Sequence, residues 1–158
     1  MRLWHKRFCV GSRKYLQFFL LPFLLNMMGS ALRGDLSIPM IATKDIAKFT
    51  AERLLKKDFS GISARDLLGQ RDISMNDAAV IIAKRTNRPG LKYVQFSNEE
   101  TEKALIGMGF GSDIAGLFVE MSKAINERLI MDTPRTKENT TETSFEEFSE
   151  IFTVLLAS

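Results

Sequence analysis

Apolar residues recur along most of this chain with a period of about 3.6 residues, and this pattern predicts amphipathic helices. Shorter stretches alternate or contain proline, which favours extended structure. The predicted helices cover residues 43–56, a segment between Ser74 and Pro89, and residues 97–108, 112–130 and 145–156. The predicted extended segments cover residues 37–42, 65–68 and 92–96. The pattern therefore predicts a mixed α/β fold in which helices dominate.

Capping residues mark where the predicted helices begin. Ser74 precedes Asp77 by three residues, and the pairs Ser97 with Glu100 and Thr143 with Glu146 have the same spacing. Such pairs satisfy backbone N–H groups that a helix leaves free at its start. For the first helix, Thr43 or Asp45 is the predicted cap. The polar stretch over residues 132–143 predicts a surface loop.

The charge of the chain is unevenly distributed. Residues 1–34 contain six basic residues and no acidic one, so residues 35–158, with 16 basic and 19 acidic residues, have a net charge of −3. A nucleic-acid-binding domain usually presents lysine and arginine on its folded surface. We therefore expect no nucleic-acid partner, and we divide the chain into a basic and apolar arm, residues 1–34, and a body, residues 35–158.

The chain has few side chains suited to catalysis or to metal binding. Its one cysteine, Cys9, and one histidine, His5, both lie in the basic arm. A disulfide framework or a thiolate zinc site within the chain is thereby excluded, and no metal site is expected. A reduced, cytoplasmic setting is the simplest expectation.

An apolar run over residues 16–28 follows the basic residues and precedes Gly29, Ser30 and Ala31. This order imitates a signal peptide, so residues 1–31 leave membrane association or export as an alternative localisation. Membrane anchoring is the weaker alternative, because the run is short and contains Pro22 and Asn26. The competing interpretation is a buried segment of a larger fold.

Two patterns that imitate a dinucleotide-binding oxidoreductase fail on inspection. Gly107, Gly109 and Gly111 lack the G-x-G-x-x-G spacing and follow a predicted helix rather than a strand, so they predict a helix end and a new helix start. The tyrosine and lysine pair of short-chain dehydrogenases is also absent, since Tyr15 and Tyr93 are followed four residues later by Phe19 and Ser97. We therefore predict no catalytic residue.

Four segments nevertheless resemble a known family in the order in which they occur. They are IPMIATKDIAKFTAERLLKKDFSG, LLGQRDISMNDAAVIIAK, LKYVQFSNEETEKALIGMGFGSDIAGLFVEMSKAINE and ENTTETSFEEF. Together they resemble the C-terminal portion of bacterial NmrA-like proteins, which are atypical short-chain dehydrogenase/reductases. The resemblance covers roughly residues 36–150.

The resemblance implies the C-terminal part of an NAD(P)-binding Rossmann-like fold, a helix-rich lobe with a few short strands. Full-length relatives bind NAD(P) and act as quinone-type reductases or as redox-sensing regulators that bind a protein. The family's glycine-rich loop lies upstream of the matched segments, so this chain is expected to bind no cofactor and to be inactive alone. By position in the family, Met40, Ile41, Ala42 and Thr43 are implied to border the substrate or the nicotinamide.

Two partners are consistent with this interpretation, a quinone-like small molecule and a protein. A lobe separated from half of its sheet would expose strand edges and an apolar layer. A non-enzymatic interaction module, including one that associates with itself, is therefore the alternative function.

Overall fold

The computed structural model describes residues 26–129 and 133–157, with the backbone alone for residues 155–157. These residues form a mixed α/β fold with two strands and six helices. The strands are β1, Met27–Ser30, and β2, Lys92–Gln95. The helices are α1, Thr43–Lys56; α2, Met75–Arg85; α3, Asn98–Gly107; α4, Ser112–Asn126; α5, Phe145–Phe148; and α6, Glu150–Ala157.

The two strands form a parallel pair, with Met27 opposite Lys92 and Ser30 opposite Gln95. The connection between them contains α1 and α2, as a parallel arrangement requires. The ring of Phe96 lies over Gly29, where an added Cβ would come within 2.2 Å of the ring. Glycine at this position therefore allows the close approach of Phe96 to the sheet.

The hydroxyl of Tyr93 connects β2 to the residues at the end of β1. It is 2.7 Å from Ser30 Oγ, and it donates to the carbonyl oxygen of Leu32, also at 2.7 Å. These contacts fix the path of the chain as it leaves β1.

The core is formed where α2 meets the sheet and the last two helices. Ile82 is fully buried and clusters with Ala83 and Leu91. Three partly buried residues from other elements pack against this cluster, namely Met28, Phe145 and Phe152. Arg71 pairs with Glu146, and Arg85 with Glu150, at the surface around this contact.

The predicted caps are confirmed at two helices and wrong at two others. Ser74 Oγ accepts from the backbone of Asp77, and Ser97 with Glu100 forms a complete capping box. In contrast, the N-cap of α1 is Ala42, which has no side-chain cap bond, so neither Thr43 nor Asp45 caps this helix. At α5 the cap is Ser144, because the Thr143 hydroxyl donates to Asp45 instead.

The glycines of residues 107–111 end one helix and begin the next, as predicted. Gly107 is the last residue of α3, Gly109 has a φ of +91°, and Gly111 is the N-cap of α4. The amide of Phe110 donates to the carbonyl of Leu105, which completes a Schellman motif.

Helix α4 ends at Asn126, four residues before its predicted end. Arg128 adopts a left-handed conformation with a φ of +58°. Its amide donates to Ile125, and the amide of Leu129 donates to Ala124. The helix therefore ends in a Schellman motif with Arg128, not glycine, in the left-handed position. Without a glycine, the sequence does not indicate this helix end.

Three other predictions need correction. Residues 65–68 form no strand, because only Leu68 pairs, in a single bridge with Thr140. Residues 37–42 likewise contribute only a bridge, between Ile38 and Ile73. The predicted helix over residues 145–156 is divided at Ser149, which is fully buried and donates its hydroxyl to the carbonyl of Glu146.

Most of the apolar run, residues 16–25, lies outside the described residues, as do Cys9 and His5. The small residues that follow the run have structural roles, since Gly29 and Ser30 belong to β1 and Ala31 is buried. Among the described residues, no helix has both the length and the apolar character needed to cross a bilayer.

Candidate functional site

A cleft of about 300 Å³ lies at the carboxyl ends of both strands. We call it the strand-end cleft. Ala31 follows β1 directly, and Phe96 follows β2. Residues at the start of α3 and the end of α4 complete the lining, and the full set is Ala31, Gln95, Phe96, Ser97, Asn98, Glu99, Lys123, Asn126 and Glu127. Open α/β sheets bind ligands at this end of their strands.

Asn126 holds the end of α4 against the segment that follows β1. Its amide nitrogen donates to the carbonyl of Ala31 at 2.9 Å, and its carbonyl oxygen accepts from the amide of Arg33 at 2.8 Å. Both polar atoms of the side chain are therefore occupied. Asn126 positions Lys123, one helical turn earlier, beside the carboxyl ends of the strands.

The other side of the cleft is held by the capping box of α3. Ser97 Oγ accepts from the amide of Glu100 at 3.1 Å, and the Glu100 carboxylate accepts from the amide of Ser97 at 2.8 Å. The backbone bond to Ser97 and its hydroxyl keep the pKa of Glu100 below its usual range. Ser97 and Glu100 are thus used structurally, and the polar side chains that remain to contact a ligand are Gln95, Asn98, Glu99, Lys123 and Glu127.

In the described lining of the cleft, no hydrogen bond or ion pair joins two titratable side chains. Its lining combines amides and one lysine with the carboxylates of Glu99 and Glu127. A catalytic acid or base normally has a partner that tunes its pKa and orients it. The described residues that line the cleft include no histidine or cysteine, and no group of three metal-ligating side chains occurs in the part of the chain that the structure describes.

The hydroxyl groups of Tyr93 and Ser30 share a hydrogen bond, as catalytic pairs often do. Their environment nevertheless favours a structural role. Burial raises the pKa of the Tyr93 phenol, and its hydrogen bonds with the hydroxyl and the carbonyl oxygen of Ser30 only partly oppose this effect. A phenol that is to transfer its proton near neutral pH needs a lowered pKa. Tyr93 therefore remains a neutral donor to the carbonyl of Leu32.

The residues that the resemblance implies, Met40, Ile41, Ala42 and Thr43, do not line the strand-end cleft. Residues 40–42 lead into α1 and Thr43 is its first residue; Ala42 is buried and Thr43 is exposed. Gly69 packs on this segment so closely that an added Cβ would lie 1.7 Å from the Met40 carbonyl oxygen. A role of these four residues in binding stays a prediction.

A polar cavity of about 290 Å³ begins directly after these residues, at Lys44 and Asp45. Lys44 pairs with Glu147 at 2.5 Å, and this hydrogen bond raises the pKa of the lysine. Asp45 accepts from the hydroxyl of Thr143 at 2.7 Å and from its amide at 3.2 Å. The charges here are therefore used to attach α1 to residues 141–147.

Sequence reasoning did not predict the strand-end cleft. The end of β2 and the capping box at Ser97 were both recognised, and the rule for strand ends could have marked residues 95–98. Lys123 and Asn126 carry no local signal, because their proximity to Ala31 arises only when α4 packs against α3 and its end reaches the sheet.

The fold and the cleft define a mixed α/β protein with a small parallel sheet and a polar cavity at its carboxyl edge. No model of a known protein family matches the sequence, and no curated protein matches it either.

Proposed function

We propose that this chain supplies the substrate-binding or partner-binding lobe of an NmrA-like, NAD(P)-binding, Rossmann-like fold, and that it is not an oxidoreductase by itself. The order of the four resembling segments supports the family. The proposed assembly uses NAD(P) as its cofactor and a quinone-like molecule as its substrate, and the nucleotide is held by the other half.

The observation that carries this proposal is the exposure of a two-stranded parallel sheet. Parallel sheets occur almost always with several strands and with both faces covered. Here Lys92 and Gln95 of β2 are exposed, and Val94 keeps 39% of its surface accessible. Such a pair is typical of the margin of a larger sheet.

Within the described residues, no strand pairs with the outer edge of β2, which we call the free edge. The amides of Lys92 and Phe96 donate to Asn26 and Ser30 of the β1 side. Because alternate residues of a strand point to opposite sides, the amides of Tyr93 and Gln95 point away from β1. A further strand could pair with this edge without disturbing the existing sheet.

The first test measures activity with and without a nucleotide-binding half. The purified chain alone is expected to show no NADPH or NADH binding by fluorescence titration and no reduction of 1,4-naphthoquinone. Mixing it with the separately expressed N-terminal half of an NmrA-like reductase should restore nucleotide-dependent quinone reduction. Quinone reduction by the chain alone contradicts the proposal. The absence of quinone reduction in every mixture with such a half contradicts it as well.

A matched pair of variants tests whether the free edge is the contact. Gln95→Pro removes an outward amide while keeping every hydrogen bond between β1 and β2. Gln95→Ala keeps that amide and removes the side chain. Association of the two halves, measured by co-purification, should be lost with proline and retained with alanine, while the circular dichroism of both variants stays unchanged. Equal association of the two variants would show that another surface makes the contact.

Self-association is a second candidate function, favoured by an exposed apolar stripe on α4. Ile114, Leu117 and Met121 follow helical spacing and keep 46%, 58% and 46% of their surface accessible. An antiparallel pair of α4 helices would also bring Asp113 of each copy near Lys123 of the other. Sedimentation velocity should then show a dimer that Leu117→Glu dissociates, and a monomer at all concentrations would exclude it.

A further inference from the structure

A third cavity, separate from the strand-end cleft and from the polar cavity at Lys44 and Asp45, lies between α1 and the segment that follows it. Its volume is about 550 Å³, within the range of sites that hold small organic ligands. We call it the α1 groove. Its apolar walls include Phe49, Leu54, Phe59 and Leu67, and its charged lining residues are Arg53 and Arg65.

The apolar wall of the α1 groove is accessible although its pattern predicts a core-facing helix. Helix α1 buries none of its residues. Leu54 keeps 59% of its surface accessible, and Phe59 keeps 48%. Exposed apolar side chains around one concavity indicate a binding surface more often than isolated ones do.

Both arginines lie over phenyl rings of the groove. The guanidinium carbon of Arg53 is 5.9 Å from the ring centre of Phe59, and that of Arg65 is 5.8 Å from the ring centre of Phe49. A guanidinium that lies over the face of a phenyl ring keeps the N–H donors along its own edge available to an anion. The groove thus combines apolar rings with oriented cations.

The two arginines differ in their partners. Arg53 forms an ion pair with Asp58 at 2.9 Å, which occupies part of its donor edge. Arg65 makes no ion pair within 4 Å in the described part of the chain. The carboxylate of Glu138, on which its charge acts, lies farther away than 4 Å. Among residues 26–129 and 133–157, no acidic side chain lines the groove. Arg65 is therefore the cation available to a ligand.

We propose that the α1 groove binds a small amphipathic organic anion, with its apolar body between Phe49 and Phe59 and its carboxylate or sulfonate on Arg65. The basic arm of the chain itself is a poor occupant, since residues 1–34 hold six basic residues and no acidic one. Charge complementarity thus selects an anion of a size that fits the cavity.

The test uses two fluorescent probes that share an apolar body and differ in charge. 8-Anilinonaphthalene-1-sulfonate carries a sulfonate, and N-phenyl-1-naphthylamine lacks it. Each is titrated into the full chain and into Arg65→Gln, with thermal melting to confirm that the variant is folded. Arg65→Gln should weaken sulfonate binding about tenfold and leave the neutral probe unchanged, as expected for the loss of a charge-assisted hydrogen bond.

Two control variants locate the binding. Lys56→Gln removes a cation from the same helix outside the groove and should leave both affinities unchanged. Lys123→Gln tests the strand-end cleft. If this variant loses sulfonate binding and Arg65→Gln does not, the proposal is overturned. Equal affinity of wild type for the two probes, or no effect of Arg65→Gln, overturns it as well. So does displacement of the probe by self-association at rising protein concentration, which would identify a second copy as the occupant.

Discussion

At the scale of single residues, hydroxyl groups connect segments that are far apart in sequence. The Tyr93 hydroxyl reaches Ser30 and Leu32, more than sixty positions away. The Thr143 hydroxyl donates to Asp45, which is 98 positions away in the sequence. The contacts with Leu32 and Asp45 each join a strand or a helix to a residue outside the regular elements.

Tyr93→Phe should destabilise the fold by about 1–2 kcal/mol, because it leaves the carbonyl of Leu32 without its donor. Ser30→Ala should cost less, since the tyrosine still reaches Leu32. Urea denaturation of both variants measures the difference. If the serine variant proves the more destabilised of the two, the contact with Leu32 is not the important one.

Asp45→Asn should lower stability at neutral pH and have little effect in acid. Partial burial tends to raise the pKa of Asp45, but the hydrogen bonds from Thr143 and Thr141 outweigh it, so the pKa lies below its ordinary value. A lowered folded-state pKa stabilises the fold above the unfolded pKa, about 4, and this gain is lost as the pH falls through the folded pKa.

The expected loss for Asp45→Asn at pH 7 is about 1–2 kcal/mol. Chemical denaturation of wild type and variant between pH 7 and pH 2 provides the measurement, and Thr143→Val serves as the matched partner variant. The two stability curves should converge toward low pH. A difference that stays constant with pH would show that the charge of Asp45 is not involved.

At the scale of elements, two glycines near the turn between α3 and α4 differ in backbone conformation: Gly107 is helical, and Gly109 has a positive φ. Gly109→Ala places a side chain at a φ of +91° and should destabilise the protein by about 1 kcal/mol. Gly107→Ala lies within α3, where nothing is within 4 Å of the new Cβ, and should stabilise by about 0.5–1 kcal/mol. Thermal unfolding distinguishes them, and equal effects would contradict the helix-end assignment.

The elements that sequence predicts well are those with local signals. Helix α2 has Ser74 at its start, α3 has the capping box of Ser97, and β2 alternates clearly. Predictions fail where a distant residue competes for the same group. Thr143 is taken by Asp45, so the cap moves to Ser144, and burial of Ser149 divides the last helix.

The candidate site is less predictable for the same physical reason. Residues 95–98 follow a recognisable strand, but Lys123 joins them only because Asn126 binds the backbone of Ala31 and Arg33. The implied residues Met40 to Thr43 derive from the resemblance, and no local pattern indicates their role.

At the scale of the whole molecule, stability depends on one small cluster to which several elements contribute. Ile82→Ala should lower the free energy of unfolding by about 3 kcal/mol, because Ile82 is fully buried beside Ala83 and Leu91. Val80→Ala on the same helix, where valine keeps 66% of its surface accessible, should change it little. Denaturant midpoints compare the two, and similar losses would mean that the core lies elsewhere.

The absence of buried side chains in α1 has a consequence for amide hydrogen exchange. The helix is attached mainly at its beginning, through Asp45 to Thr143 and Lys44 to Glu147, so it can open without exposing the core. Its amides should exchange faster than those of α2 by mass spectrometry, and equal protection would contradict this. The connection between the two strands therefore contains the segment that we expect to unfold first, while β1 and β2 remain paired.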